Sequence, residues 1–167
     1  MPRANEVLEA AEGTCHSFDR VIDCRGYGAA SSLSELRGVR GEALLIRCNR
    51  ISLSRPIRLL HPRYSLYLVP RPENCYYLGA TSIESDSDDD ISVRSVLELL
   101  STCYSVHPEF SEAEVLKSMT GIRPAFPEHF PRIQEIDGVI SVNGLYRHGY
   151  LLAPSLAQKC IDQIVRN

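Results

Sequence analysis

The sequence predicts an α+β fold, a mixed and mainly antiparallel sheet with flanking helices. Between residues 42 and 80, short apolar stretches follow one another closely and are joined by connections that contain proline or asparagine. Strands at such short intervals pair antiparallel, because a parallel pair needs a long crossover. Two later stretches place apolar residues at helical spacing instead, near residues 92–104 and after residue 153.

The predicted strands are separated by turn residues. The first strand covers residues 18–24 and runs into a loop over residues 25–30, where two glycines permit a positive φ or a close backbone approach. Residues 31–40 are predicted to be a polar connector. The remaining predicted strands cover residues 42–48, 57–60, 65–69, 75–80, 119–123, 132–136 and 139–142.

Three helices are predicted. The first, over residues 92–104, follows an acidic loop at residues 84–90 whose serines and aspartates cap it. Its predicted apolar face consists of Val93, Val96, Leu97, Leu100 and Tyr104. A short second helix is predicted over residues 111–117, with Ser111 and Glu114 as a capping box. The terminal helix is predicted to begin near residue 153, with Pro154 in its first turn. Its predicted buried face consists of Ala153, Leu156, Ala157, Cys160, Ile161 and Ile164.

Composition and charge exclude several classes of protein. The chain has 167 residues, enough for one domain or little more, and its net charge of −3 provides no positive field for nucleic acid or an anionic membrane. No apolar run approaches the ~20 residues that span a bilayer. The first residues contain no signal-peptide core, so a cytoplasmic location is expected. The six cysteines lack metal-ligand spacing; no metal is expected, and they are predicted to be reduced, mostly buried thiols.

Three segments combine features that suit a binding site: residues 21–29, 121–124 and 143–154. In the third segment, a strand ends at Asn143-Gly144, and a loop with Arg147 and His148 leads into a helix. A helix N-terminus presents free N–H groups and the positive end of a dipole, which hold an anion or an electron-rich ring edge. An ordinary strand–loop–helix connection would show the same pattern.

Arg123 and Tyr67 are ambiguous on sequence alone. Arg123 lies in a mostly apolar stretch, where an unpaired charge is costly. It either grips a substrate carboxylate with two parallel hydrogen bonds or, more simply, forms a structural salt bridge to Glu128 or Glu135. Tyr67 alternates with leucines in a strand and is explained more simply as a core or sheet-surface side chain. No Gly-x-Gly-x-x-Gly, phosphate-binding loop or nucleophile elbow occurs, and no catalytic residue is predicted.

Together, these segments resemble the D-amino-acid oxidase family of flavoenzymes, and within it the glycine oxidases of the thiamine pathway. The resemblance rests on pieces that occur in family order from about residue 19 almost to the end: VIDCRGYGA, LRGVRGEALLIR, LLHPRYSLYLVPR, YYLGATSIES, GIRP and NGLYRHGYLLAP. Several collinear pieces are far more specific than any single one.

The resemblance implies a division of the chain into three parts. Residues 1–36 would be a tail followed by a late strand and glycine turn of a Rossmann-like FAD domain. Residues 37–120 would form a substrate-binding domain on a large, mainly antiparallel sheet. Residues 121–167 would return to the FAD domain with a flavin-facing loop and the terminal helix.

The resemblance also implies residue roles. Arg123 would bind the substrate carboxylate with help from the Tyr67 hydroxyl, and Arg147 would lie near substrate and flavin. The implied cofactor-binding positions are Gly26, Gly28, His148, Gly149, Tyr150 and Leu151. The substrate would be glycine or another small amino acid, which FAD oxidises to an imine with formation of hydrogen peroxide. The protein would contribute orientation and electrostatics.

The chain departs from the family pattern at its start. Family members begin with a strand, a Gly-x-Gly-x-x-Gly turn and a helix that hold the pyrophosphate, and this sequence contains no such turn. We therefore expect the Val21 strand and the terminal helix to expose apolar faces, which self-association or an FAD-domain partner chain would cover. The chain would then be either one half of a split oxidase or a catalytically silent fragment that serves as a carboxylate-binding or interaction module.

Overall fold

A computed structural model describes residues 7–9, 15–60 and 65–166, which divide into two units. Unit 1 takes its residues from positions 1–37 and 123–167, and unit 2 comprises residues 38–122. The predicted N-terminal tail lies mostly outside the described residues, at positions 1–6 and 10–14. The predicted α+β class is confirmed, with antiparallel sheets and two α-helices in the described part of the chain.

The described residues form ten strands and two α-helices. In chain order these are β1 (Val7–Glu9), β2 (Cys15–Ser17), β3 (Val21–Asp23), β4 (Arg37–Arg47), β5 (Ile57–Leu60), β6 (Ser65–Arg71), β7 (Cys75–Gly79), α1 (Val93–Val106), β8 (Glu114–Ala125), β9 (Arg132–Ile136), β10 (Val139–Asn143) and α2 (Gly149–Arg166). Two 3₁₀ helices cover Gly26–Ala29 and Pro108–Glu112. β1 and β2 pair antiparallel with each other.

Unit 2 is built on a five-stranded sheet in the order β5-β6-β7-β4-β8. Antiparallel pairing joins β5 to β6, β6 to β7 and β7 to β4, as the short connections predict. One face of this sheet packs with α1 around a core of buried side chains, among them Leu44, Ile46, Leu66, Leu68, Tyr76, Leu78, Leu99 and Cys103. Tyr67 and Tyr77 lie on the opposite face, because successive strand residues alternate between faces.

Unit 1 contains a three-stranded sheet in the order β3-β10-β9. β3 pairs parallel with β10, and β10 pairs antiparallel with β9. Ile140 of β10 is buried, whereas Ile22 of the edge strand β3 is 47% exposed. Ile161 and Val165 of α2 are exposed as well. The exposed apolar positions expected on the Val21 strand and the terminal helix are thus confirmed.

Two segments for which the sequence predicts a helix or a connector form strands instead. The helix predicted over residues 111–117 is wrong, because a 3₁₀ helix ends at Glu112 and β8 begins at Glu114 beside β4. The polar connector predicted over residues 31–40 is wrong from Arg37 onward, where β4 begins. In both places pairing within the sheet outweighs local sequence preference, which is strongly context-dependent for strands.

The α1 helix begins where predicted but buries a different face. Ser92 caps it by accepting a hydrogen bond from the Ser95 backbone N–H. Three members of the predicted apolar face are exposed: Val93, Leu97 and Tyr104. The buried residues are instead Ser95, Leu99, Thr102 and Cys103. The Thr102 hydroxyl donates to a backbone carbonyl one turn earlier, so a polar residue occupies a position that periodicity alone assigns to an apolar one.

The α2 helix begins earlier than predicted, at Gly149, so Pro154 lies inside it. The His148 carbonyl starts the helix by accepting hydrogen bonds from the N–H groups of Leu151 and Leu152. Leu156 and Cys160 are buried as predicted, but three other members of the predicted face are exposed: Ala153, Ala157 and Ile161. Neither described helix is long and apolar enough to cross a membrane.

The cysteines whose side chains are described are free thiols. Cys48, Cys75, Cys103 and Cys160 are buried, and Cys24 is exposed. Burial raises the pKa of Cys103 to about 12. This thiol therefore stays protonated and unreactive at neutral pH, as a buried structural cysteine does.

Arg40 and Glu42 form a buried ion pair on β4. Arg40 Nη2 lies 2.7 Å from Glu42 Oε1, and the two side chains are 7% and 1% exposed. Arg40 also donates to carbonyls of the acidic loop, from Nη1 to Ser87 and from Nη2 to Asp89 and Asp90. Burial by itself would raise the pKa of Glu42, but hydrogen bonds from Ser95, Arg40 and Ser92 hold it below its ordinary value of 4.5. The pair thereby joins the acidic loop and the start of α1 to the sheet.

Glu42→Gln is expected to lower the free energy of unfolding at neutral pH by about 3–5 kcal/mol, because it leaves the Arg40 charge buried without a counter-charge. The pKa of Glu42 is lower in the folded than in the unfolded chain. Its stabilisation is therefore present above pH 4.5 and is lost as the pH falls through the folded pKa. Urea unfolding of both proteins across the acidic range measures both effects.

The control for this prediction is Glu114→Gln, which alters the exposed pair with Arg47. It should change the free energy of unfolding by about 0.5 kcal/mol or less. A Glu42→Gln protein as stable as this control, with the pH dependence of the unaltered chain, would contradict the assigned role of the pair.

Candidate functional site

Three segments far apart in the sequence meet in unit 1 at Pro124, the residue after Arg123 at the end of β8. The Tyr146 backbone N–H donates to the Pro124 carbonyl at 3.0 Å. A Cβ placed on Gly26 would lie 3.7 Å from Pro124 Cγ, an ordinary contact distance. The glycine turn, the Arg123 segment and the loop before α2 are therefore neighbours. We call this meeting of Gly26, Pro124 and Tyr146 the junction.

The Asn143 side chain closes the junction. Its Nδ2 donates to the Gly26 carbonyl at 2.8 Å, and its Oδ1 accepts from the Gly144 backbone N–H at 2.8 Å. Asn143 is 1% exposed. Gly26 and Gly144 have φ angles of +62° and +78°, which glycine adopts without strain. Because an amide carries both a donor and an acceptor, one buried side chain satisfies backbone groups from two separate segments.

Phe126 fixes the start of the loop by its contact with Gly144. A Cβ on Gly144 would overlap the Phe126 ring, so only glycine fits there. The ring is buried in a cluster with Ala29, Leu33 and Leu36. The Arg132 guanidinium lies 4.2 Å from the ring centroid, and it is ion-paired with Glu35 and Glu128. The aromatic ring that sets the path of the loop is therefore itself held from several sides.

The loop that follows leads into α2. Tyr146 has a φ of +50°, and its ring centroid lies 4.9 Å from that of His129. The N–H groups of His148 and Leu151 donate to carbonyls within the loop. In the described part of the chain, no internal acceptor takes the N–H groups of Gly149 and Tyr150. Of the four backbone positions predicted to meet a flavin, these two can offer a hydrogen bond.

Arg123 is half-buried, and Arg147 and His148 are exposed. The two carboxylates that the sequence offers as salt-bridge partners of Arg123 pair with other arginines. Glu128 lies 2.7 Å from Arg132, whose hydrogen bond holds the pKa of Glu128 below its ordinary value. Glu135 lies 3.7 Å from Arg20. Both carboxylates therefore have an arginine partner other than Arg123.

The two glycines of the turn after β3, Gly26 and Gly28, have different structural roles. Gly26 needs its positive φ and presents its carbonyl to Asn143. Gly28 donates its N–H to the Arg25 carbonyl at 3.2 Å, and a Cβ there would make only an ordinary 3.5 Å contact with Arg25. The described residues therefore give no packing reason for glycine at position 28, which suits close approach by a ligand.

Tyr67 belongs to unit 2, on the sheet face opposite the core. It pairs with Gly79 of β7, and its partly buried ring is stacked parallel to that of Tyr77 with centroids 6.2 Å apart. The core cluster of unit 2 does not include Tyr67, so its interpretation as a core side chain is wrong. A sheet-surface tyrosine and a substrate ligand both agree with this position.

Sequence reasoning missed the residues that hold the junction together, Asn143, Phe126 and Arg132. Asn-Gly at a strand end is a common turn signal. The sequence therefore predicts only a turn at Asn143 and gives no sign of its long-range hydrogen bond to Gly26. Phe126 follows an apolar segment and looks like any core residue. The close spacing of Arg132 and Glu128 is the one available sequence signal, since residues four apart readily pair.

The fold and the junction define the class of protein. The chain matches the model of the FAD dependent oxidoreductase family (DAO) over residues 2–163, and it belongs to this family. The family is FAD-dependent, and the resemblance indicated by the order of the sequence pieces is confirmed.

Particular relatives refine this assignment. The chain is 51% identical over 139 residues to the thiamine biosynthesis oxidoreductase ThiO of Rhizobium etli, a match that covers 83% of this chain and 42% of the relative. It is 30% identical over 175 residues to a glycine oxidase of Geobacillus kaustophilus, a match that covers 98% of this chain and 45% of that relative. The crystal structure of glycine oxidase from G. kaustophilus superposes with a TM-score of 0.79 at 26% identity, covering 96% of this chain and 45% of that chain. The chain thus spans less than half the length of these relatives.

Asn143→Ala is expected to lower the free energy of unfolding by about 2 kcal/mol or more, since it leaves the Gly26 carbonyl and the Gly144 N–H without partners inside the fold. Denaturant unfolding measures the change. Asn49→Ala removes an exposed amide hydrogen bond to Asn74 and serves as the control, with an expected change of about 0.5 kcal/mol or less. Equal effects of the two substitutions would show that Asn143 does not hold the junction.

Proposed function

We propose that this chain carries the substrate side and the flavin-facing loop of an FAD-dependent oxidase that acts on glycine or another small amino acid. The observation that supports it most is the junction, because Arg123 directly precedes Pro124 there and the loop into α2 begins beside it. A guanidinium suits a carboxylate, and a helix N-terminus suits an electron-rich ring edge. The names of the two relatives, a thiamine biosynthesis oxidoreductase and a glycine oxidase, supply the substrate class.

Arg123 is the proposed ligand of the substrate carboxylate. It is half-buried, and partial removal from water strengthens a charge-assisted hydrogen bond. The planar guanidinium can meet both carboxylate oxygens and so sets the direction of the α-carbon. The family resemblance also supports two further roles. The Tyr67 hydroxyl would be a second ligand of the carboxylate, and the exposed Arg147 would place a positive charge near substrate and flavin.

The start of α2 suits one part of FAD, the electron-rich edge of its ring. The unused N–H groups of Gly149 and Tyr150 stand at the positive end of the α2 dipole, where negative charge is stabilised. Gly28 leaves room for a ligand to approach the backbone. When bound, FAD supplies the two-electron oxidation of the substrate α-carbon. The chain's own residues bind and orient the amino acid, and no catalytic residue is proposed among them.

The rest of the FAD site is proposed to come from another polypeptide segment. The 167 residues contain no Gly-x-Gly-x-x-Gly to hold the pyrophosphate. The edge strand β3 with exposed Ile22, and the exposed Ile161 and Val165 of α2, support a partner that covers these positions. The free thiols of the described cysteines support a reducing, cytoplasmic location.

Adding FAD to the purified chain tests the proposal, first alone and then with the segment of the R. etli relative that this chain does not match. The mixture is expected to show the visible spectrum of bound flavin and glycine-dependent hydrogen peroxide. Glycine binding without peroxide in the mixture would identify the silent carboxylate-binding module instead. Absence of both glycine binding and peroxide would refute both functions.

Arg123→Ala is expected to weaken glycine binding about 10- to 100-fold, the value of a hydrogen bond to a charged group. Arg123→Lys should recover part of the loss, because it restores the charge without the planar fork. Titration calorimetry measures the affinity of both variants for glycine and for methylamine. Because methylamine lacks the carboxylate, its affinity should not change in either variant. Arg50→Ala, which removes an exposed pair with Glu109, is the control. Unchanged glycine affinity in Arg123→Ala would exclude Arg123 as the carboxylate ligand.

A further inference from the structure

The Tyr67 ring occupies the space that a side chain at Gly79 would fill. A Cβ on Gly79 would lie 3.1 Å from the Tyr67 hydroxyl oxygen and 3.2 Å from its Cε2 and Cζ atoms. Real Cβ contacts are rarely so short, and the phenol end of the ring is the part that meets them. Gly79 does not have a positive φ. A side chain at position 79 would therefore press on the phenol end of the Tyr67 ring.

The sheet leaves the ring few ways to move. β6 is an inner strand, in which Tyr67 pairs with Arg58 of β5 on one side and with Gly79 of β7 on the other. Because neighbours on both sides fix the backbone, a displaced ring must rotate about its own side-chain bonds. The Tyr77 ring lies diagonally across the strands, parallel to Tyr67 within 4°, and limits rotation in its direction.

We propose that Gly79 and Tyr77 are positioning residues that together set the place of the Tyr67 hydroxyl. Gly79 does so by leaving room for the phenol, and Tyr77 by stacking against the ring. The importance of this for substrate binding rests on the proposed function, in which the Tyr67 hydroxyl contacts the carboxylate. A methyl group at position 79 forces the phenol aside by a few tenths of an ångström, enough to misalign a hydrogen bond of about 2.7 Å.

Fluorine NMR of the full chain labelled with 3-fluorotyrosine tests the positioning without any substrate. The chain has eight tyrosines, and Tyr67→Phe identifies the Tyr67 signal by its loss. Gly79→Ala and Tyr77→Leu should each shift that signal. Gly121→Ala, the same substitution in open space, should leave it in place. An unshifted Tyr67 signal in Gly79→Ala overturns the proposal, and if that variant does not fold, Tyr77→Leu decides by the same signal.

Glycine titration then tests the consequence for binding. Tyr67→Phe should weaken glycine binding about 10- to 100-fold, the value of a hydrogen bond to a charged group. Gly79→Ala, which misaligns that bond, should weaken binding by up to the same factor. In the Tyr67→Phe background, Gly79→Ala should have no further effect, because the hydroxyl that it displaces is already gone. An equal loss in both backgrounds would assign the effect to the strand itself and overturn the proposal.

The two measurements separate this proposal from the proposed function. A shifted Tyr67 signal in Gly79→Ala, with Tyr67→Phe binding glycine as the unaltered chain does, contradicts the substrate role of Tyr67 and supports its positioning by Gly79. Weaker glycine binding in Tyr67→Phe, with an unchanged signal and unchanged affinity in Gly79→Ala, supports the substrate role and overturns the positioning.

Discussion

The Asn143 amide is the interaction on which the arrangement of unit 1 depends. It is buried at the end of β10 and joins the Gly26 carbonyl, 117 residues away in the sequence, to the Gly144 N–H. Hydrogen bonds weaken steeply when their geometry changes, so this side chain holds the glycine turn at a fixed place relative to the loop before α2. Pro124 contacts both of these segments. The neighbourhood of Arg123 and the N-terminus of α2 is therefore a consequence of one buried amide and the two glycines that it serves.

Several acidic side chains of unit 1 are paired with arginines. Arg132 takes two carboxylates, Glu35 and Glu128, and Arg20 takes Glu135. Three acidic side chains of the described residues are thus engaged with arginines other than Arg123. The dipole of α2 adds a positive end at the loop. In the proposed function, a substrate carboxylate and a flavin that gains negative charge on reduction would both be stabilised near this positive end.

The local sequence pattern predicts most strands of this protein but not its long-range hydrogen bonds. β9 lies where predicted, between Pro131 and the turn at Asp137-Gly138. The helix predicted over residues 111–117 is wrong, because capping signals are local and do not report the neighbouring strand β4. The segment pairs with that strand as part of β8. The role of Asn143 depends on a partner that only the folded chain provides. The proposed roles of Arg123 and Tyr67 rest on the family resemblance carried by the order of the motifs, because pattern alone favours structural explanations for both.

Two glycines of these motifs act by the same physical means, since each leaves room for an aromatic ring. Gly144 admits Phe126 in unit 1, and Gly79 admits Tyr67 in unit 2. Gly144 also has a positive φ, so its replacement strains the backbone and the packing together. Gly79 has no positive φ, and the close contact that its replacement would make is with the Tyr67 ring. A strand glycine can therefore leave room for a close neighbour, as Gly79 does, or lie in open space, as Gly121 does. In the proposed function, the room that Gly79 leaves would set where the Tyr67 hydroxyl lies.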